Sequence, residues 1–465
     1  MRISLALLLA AAIAAPLAAQ PAPTLPPTPP VVPPQVAALR DAALQDHYAW
    51  DITEGLTTEI GQRQAGTAAE ARARDWAVAK LRAMGFANIR VEPFSMPVWV
   101  RGQESAEILA PYPQRLVVAA LGNSGSTEPD GITGEVVGFN SLSELEQAPA
   151  SAVRGKIVFV RHDMPANQDG SGYGYFGGPR RQGPSVASAK GAIAIVIRSI
   201  GTDHHRNPHV GTQSFVAGVR PIPAGALTVP DAEQLKRVLA RGKPVTMHLT
   251  LVSQQLQDQS GNVIAEVPGR DPRLPPVLVG GHLDSWDLGT GAIDDASGVA
   301  IAAASAKRIM DAGRPLRTIR IVWFGAEEPG LFGGTAYQKA HGTEPHYVMA
   351  ESDFGADRIW KLNSKLGPAR KAEAQLLQEA LAPLGIVPGK LDEAEGSDIG
   401  GMIDAGQPGV GLSQDGTRYF DIHHTPDDTL DKIDPEQLRQ NVAAWTAMLA
   451  VLAGPIEAPT ARRRR

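Results

Sequence analysis

The chain has 465 residues, 43 % of them hydrophobic and 20 % charged, with a formal net charge of −5 and no cysteine. That length exceeds the roughly 250 to 300 residues at which a single core stops growing, so two or three domains are expected. The acidic balance gives no basic field for nucleic acid, and the missing thiols exclude disulfides, a lipoprotein anchor, cysteine-zinc sites and a thiol nucleophile.

Residues 1–19 join one Arg, an apolar run from Ile3 to Ile13 and small residues through Ala19, which is the pattern of a signal peptide. The run is shorter than the roughly 20 residues a membrane span needs and Pro16 interrupts it. Export followed by cleavage, to a periplasmic or secreted form, is the expectation, and no later stretch is apolar enough to span a membrane. Residues 20–35, proline-dense, form a polyproline-like tether. Helical spacing then runs from Val36 to about Ala49, and again through AAEARARDWAVAKLRAMGF to a stop at Gly85.

Between 113 and 255 the character changes. Short apolar strands, GKIVFV (155–160) and AIAIVIRSI (192–200), lie among Gly- and Pro-rich loops, as in a small inserted α/β module. SVASAKGAIAIVIRS reads as a helix feeding a buried strand, and LTVPDAEQLKRVLARG as a strand, a helix and a Gly stop. GYGYFG (172–177) matches a dinucleotide-loop pattern but neither follows a clear strand nor opens a helix, so it reads as a flexible loop. HHRNPH (204–209) reads as a polar loop, with an approach to the substrate cleft as the alternative.

From Asn262 onward strand and helix alternate: PVLVGGH, SGVAIAAASAKRIMDAG, TIRIVWF, GGTAYQKAHG, YVMAESD and ARKAEAQLLQEALAPLG. The fold class is therefore α/β, a mostly parallel mixed sheet covered by helices, whose ligands gather at the carboxyl ends of strands. Residues 36–112 and 256–455 would make one discontinuous domain around the module at 113–255, with a basic tail at 456–465.

The metal-type residues fall at those strand ends. His282 and Asp284 close the first strand, Glu327 and Glu328 follow the second, Asp353 closes the third, and His423 with His424 follow the strand-like GVGLS. Asp294 lies just before a helix, where Asp295 reads equally as an N-cap. A two-metal site needs hard or borderline donors from several strand ends and a bridging carboxylate, for which Asp294 is the natural candidate. Such ions lower the pKa of water from about 15.7 towards about 7. Of the adjacent pair Glu327 and Glu328, one can ligate while the other handles protons. Asp284 can hold His282 in its ligating tautomer, and Asp428 can do the same for His424. His423 and His424 are equally good donors on chemistry alone.

GGHLDSWDLGTGAIDDASG, WFGAEEPGLFGG, MAESDFG and HHTPDDT closely resemble the metal-binding motifs of the bimetallic zinc aminopeptidase and carboxypeptidase family, over roughly Val36 to Gly454. The resemblance implies two Zn²⁺, one held by His282 and Asp353 and the other by Glu328 and His424, with Asp294 bridging. The family pattern selects His424 over His423 and makes Glu327 the general base; Asp284, from the His-Leu-Asp run, is counted with Glu327 as catalytic. It also implies that 113–255 is a protease-associated domain, that small peptides are the substrates, and that the chain forms a homodimer. Tyr419 is a candidate substrate contact as an oxyanion donor; Ser397 and Asp398 have no derivable role. The expected reaction is hydrolysis of a terminal peptide bond in small peptides or dipeptides, by a carboxypeptidase or an aminopeptidase on the same cage. A receptor-like binding protein that has lost catalysis is the rival reading.

Overall fold

The computed structural model describes residues 29–458. The signal-like stretch, most of the proline tether and the terminal arginines lie outside the described residues.

Four parallel strands form the heart of the sheet, in the order Gly409–Gln414, Val348–Glu351, Val277–His282 and Ile319–Phe324. Every residue of Val277–His282 is buried, as expected of a strand covered on both faces, whose sequence is a near-continuous apolar run. Antiparallel neighbours flank this set: Ile359–Lys365 beside Gly409–Gln414, and Thr246–Val267 beside Ile319–Phe324. The alternation read from Asn262 onward is thus the mostly parallel, helix-covered sheet expected.

A second parallel set, Ile132–Phe139, Ile157–Val160, Ala194–Arg198 and Ala224–Leu227, lies in the middle segment. Two long strands, Ala87–Ala110 and Thr246–Val267, pair antiparallel and carry the sheet from one set to the other. Thr246–Val267 runs unbroken across position 255. Sequence pattern gave no sign of either long strand, because Pro93, Pro97 and Gly102 interrupt the first and an exposed polar run at 254–259 dilutes the second.

Helix Ser297–Ala312 packs between strand Val277–His282 and helix Pro435–Leu452. It is Ala-rich and buried on nearly every face, the pattern of a helix enclosed by other elements. The close approach needs glycine. A Cβ at Gly298 would lie 1.9 Å from the Ser352 carbonyl oxygen, and one at Gly281 would lie 2.3 Å from the Asp295 carboxylate. That carboxylate accepts the N–H of Gly298 and the N–H of His282, each at 3.0 Å, so Asp295 caps the helix and ties it to the strand end.

The leading segment differs from its reading as one helix over Val36 to Ala49. It forms two, Pro34–Ala43 and Tyr48–Gly55, because Asp46 accepts the Ala49 N–H at 2.9 Å and starts the second. Among the described residues no helix is long and apolar enough to cross a membrane.

Candidate metal centre

The carboxyl ends of the parallel strands converge on one cleft of about 530 Å³, and Asp294, Glu327, Glu328, Asp353 and His424 all line it. His282 ends its strand directly beside them. Its Nε2 lies 3.0 Å from Asp294 Oδ1 and 3.3 Å from Asp353 Oδ1. His424 Nε2 lies 3.1 Å from Asp294 Oδ2 and 3.0 Å from Glu328 Oε2. These form two three-donor groups that share Asp294. The two oxygens of Asp294 face opposite groups, as a bridging carboxylate requires. Asp294 Oδ2 and Glu328 Oε1 are buried without a hydrogen-bond partner, so the donor set fits a divalent cation taken by imidazole and carboxylate.

Charge points the same way. Burial opposes charging His282, yet Asp353, Asp284 and Asp294 outweigh it and hold the imidazole well above its usual pKa. Burial likewise opposes charging His424, and Glu328 and Asp294 among its neighbours reverse that. Burial, reinforced by Asp294, pushes Glu328 to about 7 despite the nearby His424. Burial also pushes Glu327 well above the carboxylate range, with His282 opposing and Asp353 and Glu328 adding to the rise. The cleft holds more carboxylate charge than its imidazoles balance, which a bound cation relieves.

Backbone shape sets the directions of the side chains. Ala326, with φ of 57°, and His424, with φ of 58°, occupy the left-handed region, where non-glycine residues are uncommon and often functional. The turn at Ala326 points the amides of both Glu327 and Glu328 at Asp284, whose carboxylate accepts them at 3.0 and 3.2 Å.

Three expected roles need correction. The Nδ1 of His282 donates to the backbone carbonyl of Asp284 at 3.0 Å, while the Asp284 carboxylate stands 3.7 Å away. Asp284 therefore fixes the tautomer through its main chain and spends its side chain on the Glu327–Glu328 turn. Asp428 does not reach His424; its Oδ1 accepts the N–H groups of Ala292 and Ile293, both at 2.7 Å, and so holds the loop that carries Asp294. The Nδ1 of His424 instead meets the carbonyl of Val210 at 3.2 Å, in the middle segment. His209, expected in a polar loop, is buried with its Nε2 3.0 Å from His423 Nδ1.

His423 Nε2 lies 3.4 Å from Asp294 Oδ2 and, among the described residues, pairs with no other carboxylate, whereas His424 Nε2 meets both Asp294 and Glu328, so His424 is the better-placed donor of the two. Tyr419 lines the cleft and packs at 4.3 Å against Phe354 and 4.7 Å against His423. GYGYFG is no loose loop: Tyr173–Phe176 forms a helical turn, and Tyr173 stacks on Phe420 at 4.4 Å in the cleft wall. Ser397, without a role in the sequence, donates to Asp353 Oδ2 at 2.7 Å. Arg180 and Arg181 also line the cleft. The strand-end placement of acids and imidazoles, together with the motifs around them, was the usable signal; a lone serine or a main-chain carbonyl has none.

The model of peptidase family M28 matches residues 262–449. The human protein Carboxypeptidase Q is 35 % identical over 402 residues, which cover 86 % of this chain and 84 % of that one. The crystal structure of a peptidase M28 precursor from Shewanella amazonensis is 43 % identical, with a TM-score of 0.88 over 92 % of this chain and 98 % of the other. A zinc aminopeptidase from Bacillus subtilis shares the fold, with a TM-score of 0.63 at 20 % identity over 86 % of this chain and 93 % of its own.

Proposed function

Because the chain belongs to peptidase family M28 and is a zinc exopeptidase acting on peptides, we propose that it takes two zinc ions and releases the carboxy-terminal residue of short peptides, dipeptides included. In this reading His282 and Asp353 hold one ion, Glu328 and His424 the other, and Asp294 both. Bound zinc supplies positive charge that polarises a carbonyl and acidifies water.

The chain's own residues do the rest. Glu327 takes a proton from the attacking water at its carboxylate and returns it to the leaving amine. Asp284 keeps Glu327 and Glu328 apart in direction by holding both amides. Phe354, Tyr419 and Phe420 give the cleft an apolar wall, and the middle segment, acting as a protease-associated domain, closes its far side.

The observation that carries the carboxy-end reading is the pair Arg180 and Arg181. Both guanidinium groups line the cleft and both lie over the ring of Tyr173, at 5.2 and 6.0 Å. Among the described residues they bond only main-chain carbonyls, those of Val210 and Gly174, and neither pairs with a carboxylate. Arg180 is buried and Arg181 half-buried beside it; buried charge is ordinarily paired, and a substrate α-carboxylate is the partner that fits. The apolar run at 1–19 supports export to an extracytoplasmic compartment.

An aminopeptidase reading rests on Glu351 and Glu395, which line the hollow adjoining Asp353 and offer a partner for a free amine. Free, N-acetylated and C-amidated forms of one dipeptide separate the two. We expect amidation to abolish most turnover and acetylation to be tolerated. The reverse order would replace the carboxypeptidase reading with the aminopeptidase one.

A further inference from the structure

We infer that residues 209–212 of the middle segment position the donors of one metal ion only, so that uptake of that ion is coupled to docking of the middle segment on the sheet. The inference rests on the two-ion reading above.

The contacts are one-sided. Val210 and His424 bond reciprocally: the Val210 N–H donates to the His424 carbonyl at 3.1 Å, and the Val210 carbonyl faces His424 Nδ1 at 3.2 Å. A carbonyl only accepts, so Nδ1 carries the proton and Nε2 presents its lone pair towards Asp294 and Glu328. Two residues on, the Thr212 hydroxyl donates to the main-chain carbonyl of Glu328 at 2.6 Å. One short stretch of chain thus grips both private donors of the ion shared by Asp294, Glu328 and His424.

The stretch is itself anchored in the middle segment. The His209 N–H donates to Ser199 Oγ at 2.8 Å, and Arg180 Nη1 donates to the Val210 carbonyl at 2.8 Å. Gly122 N–H donates to the Gly211 carbonyl at 3.1 Å. At Gly211, where φ is 136°, a Cβ would fall 2.3 Å from Arg180 Nη1 and 2.9 Å from His424 Nδ1. The chain passes so close to the ligand that no side chain fits there.

The other ion has no such dependence. His282 is held by the Asp284 carbonyl and Asp353 by Ser397, all four within the sheet domain that follows the middle segment. Outer contacts of this kind commonly set metal affinity by roughly 10- to 100-fold. Their split between two parts of the chain makes the two ions unequal.

The test is a two-step zinc titration of the full chain against a competing chelator. Thr212→Val keeps the side-chain shape and removes the hydroxyl. It should weaken one zinc by about 10-fold or more and leave the other within twofold, while Thr212→Ser restores the wild-type values. Glu328→Gln identifies the ion: in that background Thr212→Val should change the remaining affinity by less than twofold. The unaffected ion reports that the variant is folded. Equal weakening of both ions, or no change in either, would overturn the coupling while leaving the two-ion reading intact. A wild-type protein that takes up fewer than two zinc ions would overturn both.

Discussion

The carboxylate of Asp284 accepts the backbone N–H of Glu327 at 3.0 Å, and its second oxygen accepts that of Glu328 at 3.2 Å. One buried side chain therefore sets the direction of two adjacent glutamates for which we propose different tasks. An asparagine there presents a single acceptor oxygen, and its amino group would face one of the two N–H donors. Asp284→Asn should cut zinc affinity or dipeptide turnover by roughly 10- to 100-fold with the chain still folded. Chelator competition and a turnover assay measure this, and wild-type values in both would remove Asp284 from the positioning role.

Glu328→Gln removes a charged donor from the Asp294–Glu328–His424 group alone. Purified variant protein should carry one zinc per chain where the wild type carries two, by direct metal analysis. Loss of both ions, or retention of both, would contradict the division of ligands.

Arg181→Met removes a guanidinium from the cleft and leaves the Arg180 to Val210 bond in place. Hydrogen bonds to charged groups are worth about 1.5 to 3 kcal/mol, or roughly 10- to 100-fold in rate. kcat/KM for a free dipeptide should fall by that factor, with the C-amidated form unaffected. An equal loss on both substrates would mean that Arg181 shapes the cleft without holding the carboxylate.

His346 gives a stability prediction far from the cleft. Its Nε2 accepts the Tyr337 hydroxyl and its Nδ1–H donates to the Glu344 carbonyl, each at 3.1 Å. Burial, with Arg320 adding, lowers its pKa from 6.5 to about 4, so the folded protein favours the neutral ring. This stabilisation is therefore complete above pH 6.5 and is lost as pH falls towards 4, by up to about 3 kcal/mol. His346→Gln, which does not titrate, should flatten the fall in melting temperature between pH 7 and 5. A slope identical to wild type would exclude His346 as its source.

The parallel core was legible because VLVGGH and IRIVWF are near-continuous apolar runs, the second broken only by Arg320, and such strands leave few other readings. The acids and imidazoles at their ends were legible for the same reason: position after such a strand is itself a signal. Ala87–Ala110 was not, since its prolines break the alternation on which strand reading depends. The partners of the metal donors were the least legible. Asp428 looked suited to His424 by chemistry and proximity in sequence, yet a main-chain carbonyl of Val210, more than 200 residues earlier, takes that place. A carbonyl belongs to every residue and marks none. Ser397 and Thr212 are equally silent, because their hydroxyls matter only through where Asp353 and Glu328 are brought.

The central claim is that Glu327 moves the proton within an intact two-ion cage, and the purified Glu327→Gln protein tests it most directly, by zinc content measured alongside turnover of a free dipeptide. We predict two zinc ions per chain, wild-type folding, and turnover lower by roughly 10² to 10⁴. Near-normal turnover with both ions bound would contradict the assignment of the base, and loss of an ion would show Glu327 to be a ligand instead.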